Sequence, residues 1–155
     1  AVTANTALQS TVTGQITQLQ KDITAKNSEI TTKQAALTTA ETQLTALAKK
    51  RTDLQSDIAS LTTQINAING NSQRKRELEA TRTQKEADLA AVNTQIADKG
   101  TQISGLQGDL TTLKTQVDSL NAQLLAKQGE SSALQLQAAP LQATLTAANA
   151  AVATK

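Results

Sequence analysis

The chain lacks cysteine, histidine, methionine and every aromatic residue, and it has a single proline. Aromatic and methionine side chains provide much of the buried area of ordinary globular cores, so this composition argues against a compact multilayer domain. Zinc sites, thiol nucleophiles and imidazole bases are excluded because they need cysteine or histidine. Disulfides are excluded as well, which suits either a reducing cytosol or a bacterial envelope protein that does not use them.

Charged side chains are also scarce, at 18% of residues, and the net charge is only +2. So small a positive excess does not indicate a nucleic-acid partner. Thr, Gln, Ala, Ser and Asn fill the positions that cytosolic coiled coils usually give to Glu, Lys and Arg. This neutral polar surface predicts an extracellular, cell-surface or periplasmic protein. The start at Ala1 without a methionine is what removal of a signal peptide leaves, although a trimmed chain would look the same.

The residues that remain do not form a recognisable catalytic pattern. Ser and Thr have no base partner in the sequence beyond scattered lysines. One pair of carboxylates, Glu77 and Glu79, lies among Arg74, Arg76 and Arg82. No glycine-rich phosphate loop follows a strand-like segment, and no stretch approaches the ~20 apolar residues of a membrane span. We therefore predict a non-enzymatic protein with no cofactor, no metal site and no transmembrane segment.

Leu, Ile and Val recur with a seven-residue period on both sides of one break in the sequence. In the first half they fall at heptad positions a or d, starting with a at Val2. The members are Val2, Val12, Ile16, Leu19, Ile23, Ile30, Leu37, Leu44, Leu47, Leu54, Ile58, Leu61, Ile65 and Ile68. After the break they are Leu78, Leu89, Val92, Ile96, Ile103, Leu106, Leu110, Leu113, Val117, Leu120, Leu124, Leu134, Leu141 and Leu145. A stripe this regular predicts a coiled-coil seam.

The break and the proline predict the organisation of the chain. Gly70 can adopt a left-handed backbone conformation, and Asn71 or Ser72 can cap the next helix. Pro140 lacks a backbone donor and is expected to interrupt the second helix. We predict an all-α fold, a long antiparallel coiled-coil helical hairpin with a short C-terminal helical tail. The expected parts are a first arm at 1–68, a turn at 69–72, a second arm at 73–139 and an Ala-rich tail at 140–155.

Charged residues in the stripe support the antiparallel arrangement. If the arms fold back near residue 71, facing residues have numbers that sum to about 142. Lys33 with Asp109 and Lys85 with Asp57 meet this condition, and we expect these pairs to set the register. Further pairs close to this register are Lys26 with Asp118, Arg51 with Asp88, and Lys99 with Glu41. Lys127 faces no acidic residue, so we expect the open end of the hairpin to be loose.

Arg74, Lys75 and Arg76 form a basic cluster just after the turn. Cations in the first turn of a helix oppose its dipole, and a site for an anionic surface or a partner would account for them. Neutralisation within the helix is the simpler interpretation, through the i,i+4 pairs Lys75–Glu79 and Arg82–Glu86, and we favour it.

A ladder of threonines occupies heptad position b of the first arm. Its members are Thr17, Thr24, Thr31, Thr38, Thr45 and Thr52. In composition this face resembles helical ice-binding proteins, although those space threonine by eleven residues instead of seven. Lateral packing between hairpins and ordinary solvated surface are the alternatives.

Apolar residues near the chain ends predict contacts between molecules. Leu8, Leu125 and Leu136 lie off the seam, whereas Leu141, Leu145, Ala148 and Val152 continue it beyond Pro140. An apolar stripe without a partner in its own chain indicates a partner in another chain. The self-association residues we predict are Val2, Leu8, Val12, Leu141, Leu145 and Val152. A frayed tail is the alternative.

Two functions fit these features. The first is a structural protein, secreted or at the cell surface, that associates into a homo-oligomer or filament; its heptad architecture resembles small helical-hairpin adhesins secreted by bacteria. The second is a spacer or adaptor of a bacterial envelope complex, with another protein as partner. The long hairpin resembles the periplasmic hairpins of membrane-fusion adaptors and of division-associated activators, which normally emerge from flanking domains. Ice binding is a third and more distant candidate.

Overall fold

The computed structural model describes residues 1–153 and contains two long helices. Helix α1 spans Val2–Asn66 and helix α2 spans Gln73–Ala153. The helices pack against each other as an antiparallel hairpin, which confirms the predicted fold class. The chain divides into two compact units. Residues 1–31 and those from 111 onward form the terminal unit, and residues 32–110 form the loop unit.

The core of each unit is a narrow seam with the predicted seven-residue period. Buried positions of the terminal unit are Asn5, Val12 and Leu113; those of the loop unit are Ala40, Leu54, Ile65, Val92 and Leu110. Most other a and d residues are half-buried, because two helices leave the sides of their seam open to solvent. Helix stability therefore depends on these contacts, since Thr, which is frequent in both helices, is a weak helix former.

The connection between the helices is longer than expected at its start. Helix α1 ends at Asn66 instead of Ile68, and the chain tightens there through a bond from the Ile68 amide to the Ile65 carbonyl (3.2 Å). This three-residue turn keeps Ile68 half-buried after the helix has ended. Gly70 adopts the left-handed conformation expected of it, with φ of 81°. Ser72 caps α2, because its Oγ accepts a hydrogen bond from the Lys75 amide (3.2 Å).

Pro140 does not interrupt α2, contrary to the sequence-based expectation. The helix continues through it to Ala153, so the predicted tail is an extension of the second arm. Pro140 deprives only the carbonyl of Leu136, four residues earlier, of its helical donor. Pro140 and Leu136 both lie on the solvent side, where water can satisfy that carbonyl. The helix therefore tolerates the proline at the cost of one internal hydrogen bond.

Candidate self-association surface

The terminal unit contains a surface with almost no charge. Residues 1–20 have no charged side chain, and residues 119–153 have only Lys127 and Glu130. These two neutralise each other, with Lys127 Nζ 2.6 Å from Glu130 Oε2. We call residues 1–20 and 119–153 the charge-poor surface. The predicted isolation of Lys127 is therefore wrong: its acidic partner lies three residues further along the same helix, and not on the other arm.

The same surface carries the exposed large apolar side chains of the described chain. Leu8 is 52% exposed, Leu125 71%, Leu136 80%, Leu145 41% and Val152 74%. In the part of the loop unit that the structure describes, no large apolar side chain is comparably exposed. Single exposed leucines are common on proteins, but five within one nearly uncharged surface resemble the core of a protein–protein interface.

Two open grooves lie where the first turns of α1 meet the end of α2. One, of about 360 Å³, runs past Val2, Gln9, Ala138 and Leu141. The other, of about 330 Å³, is lined by residues that include Val2, Leu141 and Leu145. Val2 and Leu141 are half-buried at this contact, whereas exposure rises to 41% at Leu145 and 74% at Val152. Of the predicted tail residues, Leu141 is thus partly covered by its own chain, while Leu145 and Val152 remain accessible.

Val12, which we expected to be poorly covered, is only 2% exposed. It lies at a d position and is enclosed by its own hairpin, so it has no surface left for a neighbouring molecule. Leu8, at the flanking g position, keeps about half of its surface. The heptad position therefore separates a core residue from a surface residue only four positions away.

A buried polar contact that the spacing of Leu, Ile and Val does not predict crosses the seam beside the grooves. Asn5, 6% exposed, donates from Nδ2 to the carbonyl of Leu134 (3.1 Å). Gln9 donates from Nε2 to Asn5 Oδ1 (2.7 Å) and to the same carbonyl (3.3 Å). A polar residue at a seam position specifies alignment at some cost in stability, because other registers leave it buried without a partner. The polar side chain of Asn5 at position d of the heptad was the available signal.

The loop unit contains both of the ion pairs that the register rule predicts. Lys33 Nζ lies 2.7 Å from Asp109 Oδ2, and Lys85 Nζ lies 2.8 Å from Asp57 Oδ2. All four side chains are at least 36% exposed, so these pairs favour the correct alignment more than they add stability. The hydrogen bond to Asp57, followed by the charge of Asp57, raises the pKa of the Lys85 ammonium above its ordinary 10.5.

Reversal of the Lys85–Asp57 pair provides a test of register. Lys85→Glu places two carboxylates together and is expected to lower the melting temperature by about 1–3 °C at low salt. Adding Asp57→Lys to Lys85→Glu recovers at least half of this loss. The control double variant, Asp57→Lys with Lys50→Glu, has the same net charge but sets Lys85 against a lysine, and its melting temperature is expected to stay low. Differential scanning calorimetry measures the melting temperatures of all three variants. Equal melting temperatures for the two double variants would show that Lys85 and Asp57 do not interact.

The pair also makes stability depend on pH. Because folding raises the Lys85 pKa, the contribution of the pair to stability is complete at neutral pH and disappears as pH rises through the raised pKa.

The remaining pairs predicted across the arms do not form. Lys26 binds Glu29 in its own helix (3.0 Å), and Lys99 donates to Gln102 (2.7 Å). Among residues 1–153, no ion pair joins Arg51 to an acidic residue. Partners three residues along a helix are already close, so a lysine reaches them without stretching across the seam.

The basic cluster lies at the start of α2, in the loop unit. Arg74 and Arg76 are exposed and Lys75 is half-buried. Arg76 donates from Nη1 to the carbonyl and the side-chain oxygen of Asn71 (3.3 and 3.4 Å), which ties it to the connection. Of the two neutralising pairs expected, Arg82–Glu86 forms at 3.4 Å, and Lys75–Glu79 does not form within the described residues.

The threonine ladder is exposed, but its hydroxyl protons are used within α1. Each Oγ1 donates to the carbonyl four residues earlier, at distances from 2.9 to 3.1 Å. The ladder therefore presents methyl groups and hydroxyl acceptors, with its donors already engaged. This arrangement does not distinguish a lateral packing face from ordinary surface.

Within residues 1–153 there is no cluster of three or more potential metal ligands. Neither helix, over the same residues, has an apolar stretch long enough to cross a membrane. Comparisons with known proteins find no matching family model, no matching curated protein and no matching solved structure.

Proposed function

We propose that the protein is a non-enzymatic structural coiled coil that self-associates into an oligomer or filament through its charge-poor surface. One observation carries this proposal: Leu8, Leu125, Leu136, Leu145 and Val152 are all exposed on a surface that has only one lysine and one glutamate. Interface cores are depleted of charge in the same way, since desolvating an unpaired charge opposes association.

The distribution of charge favours a second copy of the chain as the partner. A strongly charged patch repels its own copy, whereas this surface can meet itself without repulsion. Anionic lipids or nucleic acids would require several free cations. On this surface Lys127 is the only basic side chain among the described residues, and Glu130 holds it. The exposed apolar side chains supply the attraction instead.

The end of α2 provides one contact, and it joins molecules head to tail. Leu145 and Val152 continue the heptad of α2 beyond Leu141 and remain 41% and 74% exposed. In a neighbouring molecule Val2 and Leu8 offer apolar surface beside the grooves. The two contacting patches differ from each other, so repeated contacts of this kind extend into a chain of molecules wherever they do not close a ring. A filament or adhesin-like appendage at the cell surface is the role this assembly supports, and the neutral polar exterior suits a location outside the cytoplasm.

Sedimentation velocity tests this proposal directly. The average mass of the full chain is expected to rise with concentration and to persist at 1 M salt, where the Debye length shrinks to about 3 Å, because the contact is apolar. Truncation after Ala139 removes Leu141, Leu145 and Val152 and is expected to prevent growth into long assemblies, while circular dichroism shows the remaining helices intact. A full-length protein that stays monomeric at millimolar concentration would refute self-association.

A matched pair of full-length variants separates the apolar contact from a general effect of the tail. Leu145→Gln with Val152→Gln removes the exposed apolar groups and keeps residues that favour helix. Thr146→Gln with Asn149→Gln alters two other exposed positions of the same segment. Only the first variant is expected to lose growth into long assemblies. Equal assembly of both variants would mean that the tail contact is not apolar and that another part of the surface joins the molecules.

A further inference from the structure

Leu125 and Leu136 lie on the outer side of α2, away from the seam, and they are 71% and 80% exposed. They are eleven residues apart, which places them about 16 Å apart along the helix and within about 20° of each other around it. Both leucines therefore point the same way. The grooves at the end of the hairpin do not include them, so the head-to-tail contact leaves them unexplained.

The side chains on this face have sizes that are arranged symmetrically about one point of the helix. Asn121 and Pro140 also lie on this face, at its two ends; the other six residues are Ala122, Leu125, Gly129, Ser132, Leu136 and Ala139, which we call the outer stripe. All six are exposed and fall within about 100° of arc. The pattern is small, large, small, small, large, small, and its midpoint lies between Glu130 and Ser131.

A contact between two identical helices running in opposite directions brings together positions that lie equally far on either side of its two-fold axis, and on this face such positions match in size. In such a contact residue i meets residue j of the other copy, and residue j meets residue i. About the midpoint of the outer stripe, Leu125 of one copy faces Leu136 of the other. Gly129 faces Ser132, and the two small residues let the backbones approach while the leucines pack on either side.

Charge is also compatible with a second copy on this face. None of the six residues is charged, and the nearby Lys127 and Glu130 are joined to each other at 2.6 Å. Two copies can therefore come together without burying an unpaired charge. A lipid surface would find apolar groups here but no free cation.

We propose that the outer stripe is a two-fold contact by which two copies of the chain pair laterally, with their α2 helices antiparallel. This inference rests on the proposed self-association and adds a second surface to it. The lateral contact closes on itself after two copies, whereas the contact at the end of α2 is open-ended. Together they produce a filament that is two molecules wide.

The absence of native cysteine allows a direct test in the full-length protein. Ser132→Cys introduces one thiol near the two-fold axis, and Gln135→Cys introduces one on the same helix about a quarter turn away from the stripe. Under mild oxidation, Ser132→Cys is expected to form disulfide-linked dimers at least about tenfold faster than Gln135→Cys. Adding Leu125→Gln and Leu136→Gln to Ser132→Cys weakens pairing by about tenfold or more, which corresponds to at least 1.4 kcal/mol. Leu145→Gln with Val152→Gln leaves this cross-linking unchanged.

The outcomes separate the two contacts. Similar cross-linking rates for Ser132→Cys and Gln135→Cys would overturn the lateral contact, even in a protein that assembles through its tail. A chain that neither cross-links at residue 132 nor grows with concentration would refute self-association as well. Binding of a monomer to phosphatidylcholine vesicles, lost in Leu125→Gln/Leu136→Gln, would assign the stripe to a membrane surface and overturn the proposal.

Discussion

Leu113→Ala is expected to lower the free energy of unfolding by about 2–4 kcal/mol, although the seam that receives Leu113 is only two helices wide. The side chain is 8% exposed, so its removal leaves space that the neighbouring seam residues cannot fill. Since the terminal unit has few fully buried side chains, this loss is a large part of its stability. Urea denaturation followed by circular dichroism measures the change.

Leu136→Ala is the matched control, because it makes the same chemical change on the same helix in the same unit. Leu136 is 80% exposed, and its replacement is expected to change stability by less than about 0.5 kcal/mol in dilute solution. At high concentration the control should lose lateral pairing while its unfolding stays normal. Comparable destabilisation by both substitutions would mean that the seam does not bury Leu113.

Ala40→Leu is expected to destabilise the protein by about 1–3 kcal/mol, even though leucine is the usual residue of such a seam. Ala40 occupies a d position and is 1% exposed, so the helices have closed around its methyl group. A larger side chain has to push the helices apart or adopt a strained conformation. Thermal unfolding in dilute solution measures the loss.

Ala35→Leu makes the same change on the outer side of α1, where residue 35 is exposed. Its effect should stay within about 0.5 kcal/mol, because nothing is displaced there. If Ala40→Leu raised the melting temperature instead, the space around residue 40 would be a cavity that leucine fills. The seam would then be less closely packed at this position than the exposure of Ala40 indicates.

The two proposed contacts use different faces of the terminal unit. Leu145 and Val152 continue the seam where its cover by α1 decreases, and the outer stripe lies on the side of α2 that faces away from the seam. Variants of one face should therefore leave the other contact intact. The loop unit exposes no comparable apolar side chain within the described residues.

The hairpin and its register could be predicted from the sequence because both depend on regular spacing. A heptad of Leu, Ile and Val leaves one way to bury the stripe, and a break near residue 70 lets the two halves bury it against each other. Lys33–Asp109 and Lys85–Asp57 followed from the same arithmetic, since residues that face each other across a hairpin have a constant sum. The cap at Ser72 and the positive φ of Gly70 followed from local backbone chemistry.

The tertiary structure alone decided features that depend on competition between neighbours. Lys26 and Lys127 bind glutamates in their own helix because a partner three residues away is nearer than one across the seam. Pro140 stays helical because the carbonyl that it leaves without a donor faces water. Asn5 and Ala40 are buried because they occupy seam positions, although neither is one of the Leu, Ile or Val residues that define the stripe. Periodicity determines which face is buried, whereas the distances between packed side chains determine what each residue does there.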